Sequence, residues 1–360
     1  MHARLAPSSA ARRVACPGSR ALEEKYPERE DSPHAREGEL AHRVAAAALL
    51  GDTIDELGVT EEMIEGATLY RGTIEPFGIR GQNIESRVDI SIIHPDCWGT
   101  PDYHINHKDT LYVFDYKFGH GYVEVFENWQ LLEYAAGLVS SQYKSVKMSK
   151  ITFVIVQPRC YSSAKKVNSW TISVSELRSY FEKLLIQENA AMQSNAQCNP
   201  NPECSNCRAR HACPALQKTT LEYTTMSTPN TSVELTASEV GQELKYLKHA
   251  ADLLDARITG LEEEAKYKIR QGEAVTNFRL ELGNGREYWK ASVEDIIETA
   301  ALFGIDVKKP QEILTPAQVR KQKLPEKILK SLAEYRFGAL KLTEVHGNLP
   351  RKIFGGNHVE

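Results

Sequence analysis

Apolar residues recur at helical spacing in "EGELAHRVAAAALL" (37–50) and again across 61–70, which predicts two helices near the start of the chain. Alternation then takes over. "IESRVDISII" (84–93) reads as a strand, and "PDYHIN" (101–106) and "TLYVFDYK" (110–117) read as two more, joined by the polar turn "HKD" in a hairpin. "ENWQLLEYAAGLVSSQY" (127–143) returns to the helical period, "ITFVIVQP" (151–158) is a buried strand, and "SVSELRSYFEKLLIQENAAMQ" (173–193) is a helix. The order helix, three strands, helix, strand, helix predicts an α/β fold with a mixed central sheet flanked by helices.

Beyond a cysteine-rich loop at 195–214, the stretch 218–232 is rich in Thr and Ser and reads as a linker. Val240, Leu244, Leu247, Ala251, Leu254, Ile258, Leu261, Ala265 and Ile269 then form an apolar seam of about four heptads on one long helix. Such a seam serves either packing inside its own domain or an oligomer contact. A hairpin around Asn284-Gly285 and short helices in 292–304 and 324–336 complete an α-rich C-terminal extension. The expected organisation is a first domain over 1–216, a linker over 217–234 and the extension over 235–360.

Composition narrows the picture only a little. With 41% hydrophobic and 26% charged residues among 360, the chain is of the soluble globular type, and no run reaches the roughly 18 apolar residues of a membrane span. The first twenty residues are Arg-rich and acid-free like a transit peptide, but lack the apolar core of a secretory signal, so a cytoplasmic location is expected. The net charge of -4 does not announce nucleic acid. The local distribution says more: between Glu133 and Glu176 there is no acidic residue, while Lys144, Lys147, Lys150, Arg159, Lys165 and Lys166 lie there. Such a segment suits either a phosphate backbone or a solvated, pairing-averse edge.

Residues two apart on a strand share a face, so Asp115 and Lys117 point the same way, beside a Gly119-x-Gly121 turn that permits close approach. Asp102 in "GTPDYHI" can reach the same end of the sheet. Two carboxylates and an ammonium converging there would hold a hard divalent cation with a water beside it, whereas an isolated Asp-x-Lys is more simply a surface ion pair. His42 follows "EGELA" on the first helix, and Gln130 and Tyr134, four apart, share one face of the helix after the Asp-x-Lys strand.

"EGELAH", "GTPD", "VFDYK" and "NWQLLEY", in this order, resemble the successive motifs of the PD-(D/E)XK nuclease superfamily, in its RecB-like branch. That resemblance covers roughly 16–214 and implies a restriction-endonuclease-like core. It implies that His42, Asp102, Asp115 and the Tyr116 carbonyl ligate Mg2+ or Mn2+, and that Asp102, Asp115 and Lys117 are catalytic. Gln130 and Tyr134 would position DNA, with Lys144 and Lys147 on its backbone, and Glu85 is an additional acid near the strand start. An imidazole among carboxylates suits Mn2+ better than Mg2+.

"CSNCRARHAC" sets Cys204, Cys207 and Cys213 in a C-x2-C-x5-C run, a metal-binding pattern in a chain without secretion signals. Cys198 or His211 would complete a zinc site. The spacing also resembles the iron-sulfur members of the RecB-like branch, the AddB and CRISPR-associated RecB-like exonucleases. By that resemblance Cys16, Cys204, Cys207 and Cys213 hold a [4Fe-4S] cluster, leaving Cys97, Cys160 and Cys198 spare. "GYVEVFENWQLLEYAAG" and "GREYWK" resemble phage-encoded RecB-like proteins. The implied activity is a metal-dependent deoxyribonuclease, an exonuclease on single strands or ends in phage DNA processing, with a recombinase or helicase as partner. The alternative is a DNA-binding or assembly module that keeps the fold without cutting.

Overall fold

A computed structural model of the chain describes residues 3–26, 33–54, 56–160, 165–225, 235–283, 285–307, 314–336 and 340–344. It divides into two compact units, Met1–Gly260 and Leu261–Glu360.

The first unit opens with two short helices, α1 (Ala10–Ala15) and α2 (Gly18–Glu23). The Arg-rich composition of this segment is spent on folding: Leu5 is fully buried and bridged to Cys97, Arg12 pairs with Glu23, and Arg13 is buried. Next come α3 (Pro33–Leu50) and α4 (Glu61–Ile74). Thr60 caps α4 by accepting from the Met63 N–H, and Glu61 and Glu62 in the first turn suit the positive end of the helix dipole.

Of the expected 84–93 strand only two residues form a ladder, β1 (Val88–Asp89) pairing antiparallel with β2 (Trp98–Gly99), and Ile84 adds an isolated bridge to Tyr103. The strand ends because Asp89 turns its carboxylate back onto the Ser91 N–H at 2.9 Å, an Asx turn that breaks the ladder while Ile90 and Ile93 stay buried. The main sheet has the order β3-β4-β5-β6, formed by β3 (Tyr103–His107), β4 (Thr110–Tyr116), β5 (Lys150–Val156) and β6 (Val167–Ser173). β3 and β4 form the expected hairpin, closed at His107↔Thr110 with Lys108 left-handed at φ 58° in the turn. β4 and β5 run parallel from Thr110↔Lys150 to Tyr116↔Val156, which requires a crossover, and α5 (Trp129–Ser140) supplies it.

β6 has no counterpart in the hydrophobic pattern. "VNSWTIS" is rich in amide and hydroxyl groups because the strand lies at the sheet edge; Trp170 anchors it by stacking on Phe153, with ring centroids 5.3 Å apart. Ser173 and Glu176 then close a reciprocal capping box that starts α6 (Val174–Ala191).

The sheet is covered on both faces. Along β4, Leu111 and Val113 join Leu131, Leu132, Leu177 and Leu184 of α5 and α6, whereas Phe114 and Tyr116 join Ala41, Val44, Met63 and Tyr70 of α3 and α4. Strand periodicity therefore sends Asp115 to the α5 side and Tyr116 to the α3–α4 side.

The linker expected at 218–232 is helical in its first part: α7 (Pro214–Thr225) buries Leu216 and Thr220, and the Thr220 hydroxyl donates to the Leu216 carbonyl at 2.8 Å. Threonines at one-turn spacing satisfy themselves on the helix backbone, so a Thr-rich stretch need not be a loop. The rest of the expected linker, 226–234, lies outside the described residues. In α8 (Ala237–Arg270), Ala250, Leu253 and Ala256 are buried, while the predicted seam residues Val240, Leu244, Leu247 and Ile258 are about half exposed. A neighbouring helix face, not the heptad seam, packs onto the first unit.

In the second unit the described strands do not pair as the expected hairpin. β7 (Phe278–Leu282) and β8 (Arg286–Trp289) each take a later partner: β8 pairs with β9 (Ala333–Arg336) and β7 with β10 (Leu340–Glu344). Asn284, at the expected turn, lies outside the described residues. The core joins Ile296 and Ala300 of α9 (Val293–Ala301), Val319 of α10 (Pro316–Lys321), and Leu329 and Leu332 of α11 (Glu326–Leu332). The Trp289 indole donates to the Leu314 carbonyl at 3.0 Å, and Arg320 pairs with Glu287. Among the described residues no helix is long and apolar enough to cross a membrane.

Candidate active site

Strand β4 ends in "FDYK", and its parallel pairing with β5 carries one residue further, the Lys117 N–H donating to the Val156 carbonyl at 2.9 Å. This holds Asp115, Tyr116 and Lys117 at the C-terminal edge of parallel strands, where open α/β sheets present ligand-binding groups. The Lys117 ammonium lies 3.0 Å from Asp115 Oδ1 and 3.3 Å from Gln130 Oε1, and the Gln130 amide donates to Asp115 Oδ1 at 3.3 Å. Asp115 Oδ2 is 2.9 Å from the same ammonium, but at a poor hydrogen-bond angle, and is left buried without a proper donor. Because α5 starts at Trp129 beside this edge, Gln130 in its first turn is the amide that reaches the site.

Asp102 arrives from the segment before β3. Its Oδ2 accepts from the Tyr116 N–H at 2.6 Å, so the carboxylate is locked to the backbone of the Asp-x-Lys strand, and its Oδ1 lies 3.2 Å from His42 Nδ1 on α3. Electrostatics follow from this packing. Burial alone would raise the Asp102 carboxyl, but His42, Lys117 and the Tyr116 N–H together bring it below the usual range. Asp115 goes the other way: burial, reinforced by the Asp102 charge, outweighs Lys117 and holds it above the usual carboxylate value. Burial disfavours the His42 and Lys117 cations, yet both end raised because Asp102 and Asp115 stand beside them. The excess of acceptors and the open oxygen of Asp115 form a donor set that suits a hard divalent cation.

Tyr134 sits one turn beyond Gln130, buried, with its hydroxyl donating to the Thr100 carbonyl at 3.2 Å. Gly99 makes room for it: a Cβ there would lie 2.7 Å from Tyr134 Cε1, which is what the glycine of "GTPD" is for. Gly119 and Gly121 behave differently from expectation. A Cβ at either meets nothing within 4 Å, and their loop is held instead by buried Gln157, whose amide donates to the Gly121 carbonyl and whose oxygen accepts from the Val123 N–H.

Lys144 and Lys147 are not brought to this edge. α5 crosses back along the sheet, so the loop after it leads into Lys150, paired with Thr110 at the opposite end of the strands. Both are exposed there. Arg159 is at the correct end, but its guanidinium is committed to Glu37 at 2.8 Å and Glu62 at 3.3 Å and covers the Phe118 ring.

The cysteine cradle is assembled from distant segments. Cys16, Cys198, Cys204, Cys207 and Cys213 line one small cavity together with Leu22, Asn199 and Leu216. Backbone N–H groups of Asn199, Asn201 and Leu216 donate to the sulfurs of Cys16, Cys204 and Cys213. Hydrogen bonding from Cys198 draws Cys16 down to about 7 and Cys213 down to about 6, whereas burial pushes Cys207 up to about 12. Cys198, the expected zinc ligand that the iron-sulfur resemblance left spare, thus stands between Cys16 and Cys213. His211 packs edge-on against Tyr26 at 4.7 Å and is not part of the cavity lining. Thiol-rich lining with backbone donors aimed at sulfur suits a thiolate-held zinc ion or iron-sulfur cluster. Among the described residues no three His, Cys, Asp or Glu side chains are already drawn tightly enough together to hold an ion, here or at the carboxylate site.

Sequence reasoning missed a third cluster. Arg13 of α1, 2% exposed, reaches Glu188 of α6 at 2.5 Å and Glu133 of α5 at 3.3 Å, both carboxylates fully buried, and Cys97 donates its thiol to Glu133 at 3.1 Å. Glu133 lies inside the Gln130-x3-Tyr134 motif, three residues after Gln130, yet its carboxylate meets Arg13 rather than Lys117. Its only sequence signal is a charge at a core-facing position of an otherwise apolar stripe.

A family model described as "Protein of unknown function (DUF2800)" matches residues 2–337. The chain belongs to that family. The match runs through both compact units, so the cradle, the carboxylate edge and the second core are all within the DUF2800 region.

Proposed function

We propose that this DUF2800 protein is a metal-dependent deoxyribonuclease of the PD-(D/E)XK superfamily, RecB-like branch, acting on single-stranded DNA or DNA ends in phage or prophage DNA processing. One observation carries the reading: His42 from α3, Asp102 from before β3, Asp115 and Lys117 from the end of β4, and Gln130 from α5 converge on one end of one sheet. Four separate segments have no folding reason to deliver these residue types to a single, largely buried sheet edge.

In this reading His42, Asp102, Asp115 and the Tyr116 carbonyl hold Mn2+ or Mg2+, with Mn2+ preferred. The ion when bound neutralises the scissile phosphate and lowers the pKa of water. Lys117, oriented by Asp115 and Gln130, positions the attacking water. Gln130 turns from Lys117 to the substrate, and buried Tyr134 fixes the "GTPD" backbone that carries Asp102. Cys16, Cys204, Cys207 and Cys213 hold a [4Fe-4S] cluster as a staple between the N-terminal arm and the end of the unit, with zinc as the alternative guest. The positions of Lys144 and Lys147 argue against their touching DNA at the scissile bond.

The test is degradation of end-labelled single-stranded and duplex DNA by anaerobically purified protein with Mn2+, next to folded Lys117→Ala and Asp115→Asn variants. Metal-dependent cleavage that both variants lose supports the proposal, and the product ladder gives its polarity. Tight DNA binding without cleavage by the metal-loaded wild type would replace it with the DNA-binding module.

A further inference from the structure

The chain between Lys117 and Gln130 leaves the candidate site and returns to it, for the ammonium and the amide oxygen at its two ends lie 3.3 Å apart. A loop closed in this way is held by its own packing. Phe118 and Val125 are buried, and buried Gln157 clamps the backbone at Gly121 and Val123. The Glu124 carboxylate accepts from the Val125 and Phe126 N–H groups, and its carbonyl accepts from Asn128, the cap of α5. Yet this anchored loop leaves two rings in water: Tyr122 is 46% and Phe126 57% exposed.

A single exposed aromatic is ordinary and needs no explanation. Phe126 does not stand singly. Its ring meets Trp170 of β6 edge-on at 5.2 Å, and Trp170 meets Tyr180 of α6 at 5.7 Å. Trp170 and Tyr180 are themselves only partly buried, so a row of rings runs along the surface from the loop, over the edge strand, to α6. At its far end the exposed Lys183 holds its ammonium 5.5 Å from the Tyr180 ring. The two acids of the loop are explained by folding: Glu124 holds the turn, and Glu127 accepts from the Tyr180 hydroxyl at 2.9 Å.

Rings in series with an ammonium beside them match the chemistry of a single nucleic-acid strand, whose unpaired bases offer their faces and whose backbone offers phosphate. Duplex DNA buries those faces in its own stack and can use only the ammonium. We infer that Tyr122 and Phe126 stack on unpaired bases and that Lys183 takes a phosphate of the same strand, so that the loop between Lys117 and Gln130 seats single-stranded DNA beside the carboxylate edge. The inference rests on the nuclease reading above, and it moves the DNA contacts from Lys144 and Lys147 to the end of the sheet where the site lies. A loop whose two ends are site residues gives the strand a direct path to them.

The experiment measures binding of labelled oligo(dT), and of the same strand paired with oligo(dA), to the full chain with Ca2+ in place of Mn2+ over a series of salt concentrations. Phe126→Ala and Tyr122→Ala are each expected to weaken single-strand binding about 10-fold while the salt slope and duplex binding are kept. Lys183→Ala is expected to lower the slope of log affinity against log salt by about 0.7. Phe126→Leu, which keeps apolar bulk against Trp170 without a ring, is expected to melt as wild type does and to bind as weakly as Phe126→Ala, which separates stacking from packing. Variants that bind oligo(dT) as wild type does, or that lose single strand and duplex equally, overturn the inference and leave the nuclease site standing. A wild type that binds neither DNA removes the nuclease reading and the strand seat with it.

Discussion

Lys117 shows how a weak motif becomes a site at the level of single residues. In sequence it is one ammonium two places after an aspartate; in the fold it is held by Asp115 on one side and Gln130 on the other, with its ammonium at a sheet edge. Removing it leaves Asp115 as a buried carboxylate without its counter-charge, so Lys117→Ala is expected to lower Mn2+-dependent cleavage by about 100- to 1000-fold while the circular dichroism spectrum is kept. Full activity in a folded Lys117→Ala protein would remove it from the chemistry. The Arg13 cluster supports a prediction of a different kind. One guanidinium faces two fully buried carboxylates, and burial, against the pull of Arg13, lifts Glu133 to about 8. The folded protein then holds a proton that the unfolded chain has already released. Stability from this group is complete at low pH and declines as pH rises from the ordinary carboxylate range toward about 8. Glu133→Gln, which carries the proton's equivalent permanently, is expected to flatten that slope in urea unfolding followed from pH 5 to 9. Arg13→Met, by leaving the carboxylates alone, is expected to cost about 3 kcal/mol.

Elements were legible wherever one face or both faces are apolar. The α3, α4, α5 and α6 helices and the β3–β4 hairpin follow from period and turn chemistry, and with them Asp102, Asp115, Lys117, Gln130 and His42. β6 was not legible because an edge strand buries too little to need a full apolar face; Ile172 and Trp170 carry most of its packing. The Thr-rich stretch misread as linker is helical through Thr225 because Leu216 and Thr220 dock, a tertiary cause that composition cannot display. Lys144 and Lys147 were assigned by charge, but the direction of α5 takes them to the other end of the sheet. Cys198 was named as a zinc ligand but left spare by the iron-sulfur resemblance, and spacing in a line does not reveal that its loop folds back on Cys16: the Gly18 N–H donates to the Gln197 carbonyl at 2.9 Å, and a Cβ on Gly18 would lie 2.6 Å from the Cys198 backbone. At this scale the cradle acts as the joint between α1, α2 and the end of the first unit. Cys16→Ala is expected to lower the melting temperature and to release bound iron or zinc, read by elemental analysis. Cys198→Ala should retain the metal, if Cys16, Cys204, Cys207 and Cys213 are the ligands. Metal retained by Cys16→Ala and lost by Cys198→Ala would exchange the two roles.

At the scale of the whole molecule, α8 carries an apolar face that the first unit does not use. Its Ala250, Leu253 and Ala256 face is consumed by packing near Cys204 and Cys213, while Val240, Leu244, Leu247 and Ile258 stay about half exposed on a separate face. Exposed apolar residues at alternating steps of four and three are costly to leave in water, and they match the seam that two identical helices bury between them. Charge placement agrees with a parallel pair. With Leu244 and Leu247 on the seam, Glu243 and Lys248 flank it, and the carboxylate of one copy meets the ammonium of the other without like-charge conflict. The wild-type chain is therefore expected to sediment as a monomer–dimer equilibrium that shifts with concentration. A Leu244→Asp, Leu247→Asp double variant should stay monomeric at every concentration with a nearly unchanged melting temperature, because both side chains are about half exposed. A wild type that remains monomeric throughout the same range would assign the seam no partner copy. A double variant that unfolds instead would show that the seam serves its own chain. If the dimer forms, Mn2+-dependent cleavage by the monomeric variant decides whether pairing bears on the reaction, since the carboxylate edge is built entirely from residues 42–134 of one chain.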